Sequence, residues 1–242
     1  MEYIEFEALF CKSMQENSLH TPQKTQIEQF WIFTEHLLKV NQITNLTAIR
    51  NIPDTISKHL VDSLLCAEYI PQRARVLDIG CGPGFPSIPL AIARPDLEIV
   101  ALDSTAKKIT FVQESAKMIG ISSLSALSGR AEDASIMQKL GKFDIVVSRA
   151  VAKMSILSEL CLPYLKIGGK FIALKAAKAE EELQEAKNAI RTLGGGAATL
   201  NTRDLVLLDG TSEQRCLLEI PKIKETPRGY PRSYSQISKK PL

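Results

Sequence analysis

Between Asp78 and Phe85 the chain reads Asp-Ile-Gly-Cys-Gly-Pro-Gly-Phe, with three glycines at alternate positions directly after a short apolar run. Gly80, Gly82 and Gly84 let a backbone turn sharply and approach a ligand that a Cβ would repel. In open parallel sheets ligands bind beyond the carboxyl ends of the strands, where such a strand-to-helix loop lies. The dinucleotide fingerprint G-x-G-x-x-G puts its third glycine where helix packs on strand, and here that place is Phe85. An acidic Asp78 beside the loop suits a cationic ligand better than a pyrophosphate. S-adenosylmethionine carries an ammonium and a sulfonium, so methyl-donor binding is the expected chemistry, with nicotinamide binding as the alternative.

Asp103 follows Gly80 by 23 residues, at the end of the next apolar run. A carboxylate there can accept hydrogen bonds from both ribose hydroxyls, or it can cap the helix expected to begin near Thr105. The run Arg130-Ala131-Glu132-Asp133 falls where an adenine ring would lie, with a solvated helix start as the plainer reading. Arg149 and Lys175 close the fourth and fifth apolar runs and face the same crevice by topology. They are candidate positioning groups, Arg149 for cofactor or substrate and Lys175 for a phosphate. A structural salt bridge and an exposed strand end are the respective alternatives.

The kind of methyl transfer is narrowed by what the motifs lack. An Asn/Asp-Pro-Pro-aromatic run, which holds exocyclic amines, is replaced by Ser148-Arg149-Ala150-Val151. Cytosine-C5 transfer needs a nucleophilic cysteine, but Cys161-Leu162-Pro163 falls in an expected helix and Cys81 reads as a small loop residue. Guanine N7 is an unprotonated lone pair, so its methylation needs alignment rather than a base; alignment alone can supply about 7–11 kcal/mol of a barrier. An arginine on the guanine edge would reach O6 only, because N7 must stay free to react.

The elements that must place these groups can be read from periodicity. Thr21 and Pro22 mark a helix start, followed by an apolar stripe of Ile27, Phe30, Trp31, Leu37 and Leu38. An earlier helix holds Ile4, Phe6, Leu9 and Phe10, and a third is expected from about Pro53 to Tyr69 with Ile56, Leu60, Leu64 and Ala67 buried. After Arg73 short apolar runs alternate with helix-length segments, the pattern of a parallel sheet with crossover helices. Strands are expected at 75–79, 98–102, 124–127, 143–147, 170–174, 204–208 and 215–220, the last two as an antiparallel hairpin at the sheet edge. Gly168-Gly169 reads as a tight turn into the fifth strand. The expected fold is α/β: a Rossmann-like seven-stranded class I S-adenosylmethionine-dependent methyltransferase sheet. It divides into a helical extension packed on the core (1–72), the cofactor-binding core (73–221) and a basic tail (222–242).

With 45% hydrophobic and 24% charged residues among 242, the chain is expected to fold as an ordinary soluble domain without staples. Glu2, Glu5, Glu7 and Glu16 argue against a secretion signal, and no apolar run approaches a membrane span, so a cytoplasmic protein is expected. The five cysteines and three histidines are scattered, so neither disulfides nor a metal site is expected. Net charge is +3, but the segment from Pro221 carries six basic residues against Glu225, leaving a body of net −2. A cationic tail on a near-neutral body suggests a polyanionic partner, or merely a solvated end.

Several motifs in one order give a more specific reading. Asn45-Leu46-Thr47, Lys58-His59-Leu60-Val61-Asp62-Ser63, Gly80 through Leu90, Leu102-Asp103-Ser104, Arg130-Ala131-Glu132, Ser148 through Ala152, and Ala173-Leu174-Lys175-Ala176 together resemble the RsmG family. That family, also called glucose-inhibited division protein B, comprises 16S rRNA guanine-N7 methyltransferases. The resemblance covers nearly the whole chain. It implies S-adenosylmethionine contacts at Gly80, Phe85, Ala131, Glu132 and Arg149, and m7G in the 530 loop as product. It also implies 16S rRNA or the small ribosomal subunit as partner, with no DNA and no membrane; a monomer is expected. The segment 59–63 would wall the site, although His59 by itself reads as a packed helix residue. Thr226-Pro227-Arg228-Gly229-Tyr230-Pro231-Arg232 matches the family's C-terminal run, whereas Ser233 to Ile237 departs from it. A small-molecule methyltransferase and a non-catalytic RNA-binding assembly factor are the competing functional readings.

Overall fold

Two aromatic-rich helices open the chain because apolar residues recur at helical steps. In α1 (Tyr3–Glu16) Phe6 and Phe10 are fully buried, and in α2 (Lys24–Thr44) Ile27, Phe30, Phe33 and Leu37 form the inward face. The rings interlock, Phe10 lying 4.7 Å from Phe30 and Phe6 5.2 Å from Trp31. Two details differ from the periodicity reading: Ile4 is exposed, and Phe33 rather than Leu38 is buried. The computed structural model describes residues 1–149 and 152–242; Ala150 and Val151, within the run Ser148 to Ala152, lie outside the described residues.

The expected cap at Thr21-Pro22 is displaced. Helix α2 begins at Lys24 after Gln23, whose N–H donates to Gln26 Oε1 at 2.9 Å, while Gln26 Nε2 reaches Ile92 O at 2.7 Å. A glutamine that secures both the helix start and the core outweighs the local Thr-Pro signal. The third helix also departs from regularity. It begins as α3 (Ile52–Asp54), capped by Asn51, widens into a π-helix (Thr55–Val61), and returns to α geometry in α4 (Asp62–Leu64). A 3-10 turn at Ala67–Tyr69 follows, and Ala67 is only half-buried.

The sheet comprises β1 (Arg75–Ile79), β2 (Glu98–Asp103), β3 (Leu124–Ser128), β4 (Phe143–Arg149), β5 (Leu165–Lys175), β6 (Thr199–Val206) and β7 (Ser212–Pro221). Their order is β3-β2-β1-β4-β5-β7-β6. The first five are parallel, while β7 runs antiparallel to both β5 and β6. The edge hairpin is therefore present, although β6 starts five residues earlier than its apolar residues suggested and pairs with β7 throughout. Helices α5 (Ser87–Ala93), α6 (Ala106–Met118), α7 (Ala134–Leu140), α8 (Met154–Cys161) and α9 (Ala179–Thr192) connect the strands. Alternation along each strand divides the core into two layers. Val76, Ile99, Ile145 and Ile172 face α5, α6 and the N-terminal helices, whereas Leu77, Val100, Val146 and Phe171 face the layer of α8 and α9.

Gly168 and Gly169 do not form a turn before β5. They lie inside it, at an irregularity where Gly168 N–H donates to Lys222 O and Lys222 N–H to Gly169 O, both at 2.8 Å. A Cβ on Gly169 would stand 2.6 Å from Asp144 O, so the strands could not close with a larger residue.

The charged C-terminal segment is likewise more structured than its composition implies. Lys222 is 1% exposed, with Nζ donating to Leu193 O and Thr226 Oγ1, and burial pulls its pKa down to about 8. Arg232 makes a forked pair with the fully buried Glu159, at 2.8 and 2.6 Å. The short helix α10 (Tyr234–Lys239) buries Ile237 against α8. Two of the six basic residues counted toward a polyanion-binding tail are thus spent inside the fold.

Candidate active site

Strand order reverses between β1 and β4, and the crevice beyond their carboxyl ends opens into a cavity of about 860 Å³. Its floor is the loop after β1. Gly80 N–H donates to Leu102 O at 2.8 Å, tying the loop to β2, and Gly82 N–H donates to Asp103 Oδ2 at 3.0 Å. Gly82 has φ +56°, and a Cβ built on it would meet nothing within 4 Å, so its backbone is bare toward open space. Asp103 Oδ1 accepts from Thr105 N–H at 2.8 Å. The carboxylate therefore holds both the glycine loop and the start of α6, and it still lines the cavity. The helix-start reading of Asp103 is thus met by its contact with Thr105, and its place on the lining leaves it accessible to a ligand.

Facing the floor is a wall that the glycine motif does not predict. The π-helix shifts hydrogen bonding by one residue: Asp62 N–H goes to Ser57 O and His59 O rather than to Lys58 O. The Lys58 carbonyl accepts from Arg149 Nη1 instead, at 3.0 Å. Asp62 then takes two guanidiniums, Arg149 Nη1 on Oδ2 at 3.0 Å and Arg215 Nε on Oδ1 at 2.9 Å. Single π turns in helices often mark functional sites, and here one opens a socket for the arginine that ends β4. Arg149 also lies 5.2 Å from the Phe85 ring, on which His59 stacks at 4.3 Å. Burial, followed by the neighbouring Arg149 charge, lowers the His59 pKa to about 3, so the imidazole is neutral.

The expected contacts divide accordingly. Gly80, Gly82, Phe85, Asp103, Arg149 and Lys175 all line the cavity, whereas Gly84, Ala131 and Glu132 do not. Gly84 serves packing: with φ +101°, an added Cβ would fall 2.6 Å from Ile88 Cδ1. Ala131 is buried, with its carbonyl accepting from Tyr164 Oη at 2.8 Å, and Glu132 lies 3.5 Å from Arg130. Asp78 differs most from its expected role. It is fully buried beneath the loop, its Oδ2 accepts from Ser87 Oγ and N–H, and burial raises its pKa to about 7. It holds the start of α5 and does not face a cationic ligand across the cavity. Lys175 is not a free phosphate anchor, because its Nζ donates to Ala152 O and to Glu182 Oε2, the latter at 2.8 Å.

Thr47, Lys58, Asp62, Arg215 and Glu213 line the cavity without having been singled out as site residues. The motifs holding Thr47, Lys58 and Asp62 were the available signal for three of them; nothing local marks Arg215. Every carboxylate on the lining is already engaged: Asp62 by two arginines, Glu182 by Lys175, Glu213 by Arg215 and Lys58, and Asp103 by backbone N–H groups. Burial pushes the Cys81 thiol far above its ordinary pKa, which removes a thiolate nucleophile.

Comparisons with known proteins identify the family and the fold. The model of the family described as rRNA small subunit methyltransferase G (GidB) matches residues 26–205. Proteins named ribosomal RNA small subunit methyltransferase G are similar over nearly their whole length. The one from Lachnoclostridium phytofermentans is 46% identical over 90% of this chain and 90% of its own, and one from Clostridium botulinum is 39% identical over 99% and 100%. Among solved structures, an O-methyltransferase from Bacillus cereus, in complex with SAH, superposes with TM-score 0.56 at 16% identity, covering 89% of this chain and 99% of that one. The YcgJ protein from Bacillus subtilis superposes with TM-score 0.53 at 14% identity over 69% and 100%, a likeness of fold. The expected seven-stranded methyltransferase sheet is thus present, and the chain belongs to the rRNA small subunit methyltransferase G family.

Proposed function

We propose that this protein transfers a methyl group from S-adenosylmethionine to N7 of a guanine in the 530 loop of 16S rRNA, within the small subunit or its rRNA. The residues fit the cofactor on two observations: the bare Gly82 backbone makes a cradle, and Asp103 presents a carboxylate one strand away from the loop. Gly80 and Gly82 would lie against the amino-acid part and Asp103 would accept from the ribose hydroxyls. The backbone at Ala131 and the Glu132 side chain would border the adenine, a contact carried over from the family resemblance. When bound, S-adenosylmethionine supplies an electrophilic methyl group on a sulfonium.

The observation that carries the reading is the absence of a poised base among the described lining residues. Each lining carboxylate is paired or hydrogen-bonded, and burial with the neighbouring Arg149 charge, which lowers the His59 pKa to about 3, makes the one lining histidine a poor proton acceptor. Transfer to an amine or hydroxyl must dispose of a proton; transfer to N7 need not. The chain's task is then orientation. Phe85 and His59 stack on each other in the lining, Arg149 is held rigidly beside Phe85, and Arg215 and Lys58 add positive charge to the cavity wall. Five cations and four carboxylates line the cavity, a balance that favours an anionic substrate.

Incubation with labelled S-adenosylmethionine and unmethylated small subunits, followed by strand cleavage specific for m7G, tests the assignment. One labelled guanine cleaved at N7 is the expected result. Label on an exocyclic amine or a pyrimidine carbon, or no label, overturns it.

A further inference from the structure

Thr47 belongs to the loop between α2 and α3, yet it is fixed as firmly as a core residue. The amide of Asn41, 1% exposed, donates to Thr47 O at 2.9 Å and Ile49 O at 3.0 Å and accepts from Thr47 N–H at 2.9 Å. A buried amide whose donors and acceptor are all satisfied by one loop makes that loop rigid. The side chain is oriented as well. Thr47 Oγ1 lies 2.8 Å from His59 Nε2 and accepts from Ile49 N–H at 3.2 Å.

The direction of the threonine–histidine hydrogen bond follows from Arg149. Its Nη2 stands 3.3 Å from His59 Nδ1, and a guanidinium only donates. A hydrogen on Nδ1 would therefore face another hydrogen. That hydrogen could share Lys58 O, 3.2 Å away, with Arg149 Nη1, but the charged donor decides. Nδ1 accepts from Arg149 Nη2, with its lone pair beside Lys58 O, and the imidazole hydrogen sits on Nε2, donating to Thr47 Oγ1. The hydroxyl hydrogen of Thr47 then has no acceptor among the described residues, on a side chain that lines the cavity.

This unspent donor lies on the β4 side of the crevice. Contacts run from Thr47 through His59 and Phe85 to Arg149, on the far side of β1 from Asp103. A guanine presents N7 and O6 on its reacting edge, and N7 must stay free, so O6 is the one atom there that can be anchored. A neutral hydroxyl is suited to this, since a cation on O6 would draw electron density away from N7.

We propose that the Thr47 hydroxyl donates to O6 of the reacting guanine, making Thr47 a specificity-determining residue for the transfer. The inference rests on the guanine-N7 reading above. Because Oγ1 already accepts two hydrogen bonds, it opposes the amine that adenine carries in place of O6.

The test uses the full chain and small subunits whose target position carries guanine, hypoxanthine (O6 kept, 2-amino group lost) or 2-aminopurine (O6 lost). On guanine, Thr47→Val is expected to lower kcat/KM about ten-fold, the upper range for one net hydrogen bond. Its affinity for S-adenosylhomocysteine should stay at the wild-type value, its melting temperature should fall by a few degrees because Ile49 N–H and His59 Nε2–H lose their acceptor, and Thr47→Ser should restore stability and recover activity to within about three-fold. The ten-fold gap between wild type and Thr47→Val should persist on hypoxanthine and vanish on 2-aminopurine. Because the ratio is taken on one base at a time, differences in intrinsic N7 reactivity cancel. Should Thr47→Val fail to fold, Thr47→Ala makes the same comparison. A gap of equal size on 2-aminopurine, or no gap on guanine, overturns the Thr47 contact alone. A wild-type protein that leaves guanine N7 unmethylated overturns the functional reading itself.

Discussion

The floor and the wall of the cavity are built on opposite principles. The floor is contiguous backbone: a glycine loop between a strand and a helix, fastened by Asp103 from the neighbouring strand. The wall is made of side chains that meet only in the fold, with Asp62 reaching Arg149 across 87 positions and Arg215 across 153. The sheet that carries the floor superposes on those of proteins only 14–16% identical, a likeness of fold. The wall comes largely from the N-terminal helices and the last strand. On the proposed reading, cofactor binding and substrate choice reside in separable parts of one cavity.

The largest expected effect breaks the floor. Asp103→Ala removes both the proposed ribose contacts and the anchor of Gly82, and titration calorimetry with S-adenosylhomocysteine should show affinity falling by roughly a hundred-fold or more. RNA affinity should change by less than about three-fold; equal losses in both would mean that floor and wall are one unit. Asp62→Asn tests the wall. It keeps the shape but removes the charge shared by two arginines, so kcat should drop about thirty-fold while S-adenosylhomocysteine affinity holds to within about three-fold.

A third variant probes neither part. Arg232→Ala strands the buried Glu159 and should cost about 2 kcal/mol in urea unfolding, below the usual range for buried pairs because the arginine is partly exposed. Cofactor affinity should not move. Lys222→Ala belongs with it, as a loss of stability rather than of RNA binding.

The smallest effect is one of pH. The folded-state pKa of His59, about 3, lies below its ordinary 6.5, so the folded protein binds fewer protons than the unfolded chain between those values. Stability associated with His59 is full above pH 6.5 and declines as pH falls toward 3. His59→Gln should flatten that part of a stability–pH curve measured by denaturant unfolding; an unchanged slope would mean the imidazole is not held neutral by the wall.

Much of the floor was legible because its signals are local. Alternating glycines after an apolar run and a carboxylate at the end of the next strand locate the crevice before any packing is known. Spacing did not show, however, that Asp78 is buried beneath the start of α5 with Ser87 as its partner, since it does not tell a carboxylate on a cavity lining from one tucked under a helix start. The wall was legible only through resemblance. Three- and four-residue periodicity describes an ordinary helix over 53–69 and has no means of showing the wide turn that frees Lys58 O. His59 accordingly looked like a packed residue, and it is one, but its packing partner is Phe85 in the cavity lining. Arg215 sits in an edge hairpin with no motif around it, and Lys222 counted as tail charge until the fold enclosed it.

The position of Arg215 bears on how the enzyme comes into being. Synthesis runs from the amino end, so a nascent chain has made its glycine loop, Asp103, Asp62 and Arg149 well before the strand Ser212–Pro221 emerges to pair with Leu165–Lys175. Until then Asp62 has only one of its two cationic partners. On the proposed reading, the groups that hold the methyl donor are thus encoded ahead of the last of those that face the acceptor, and the hairpin of β6 and β7 completes the wall.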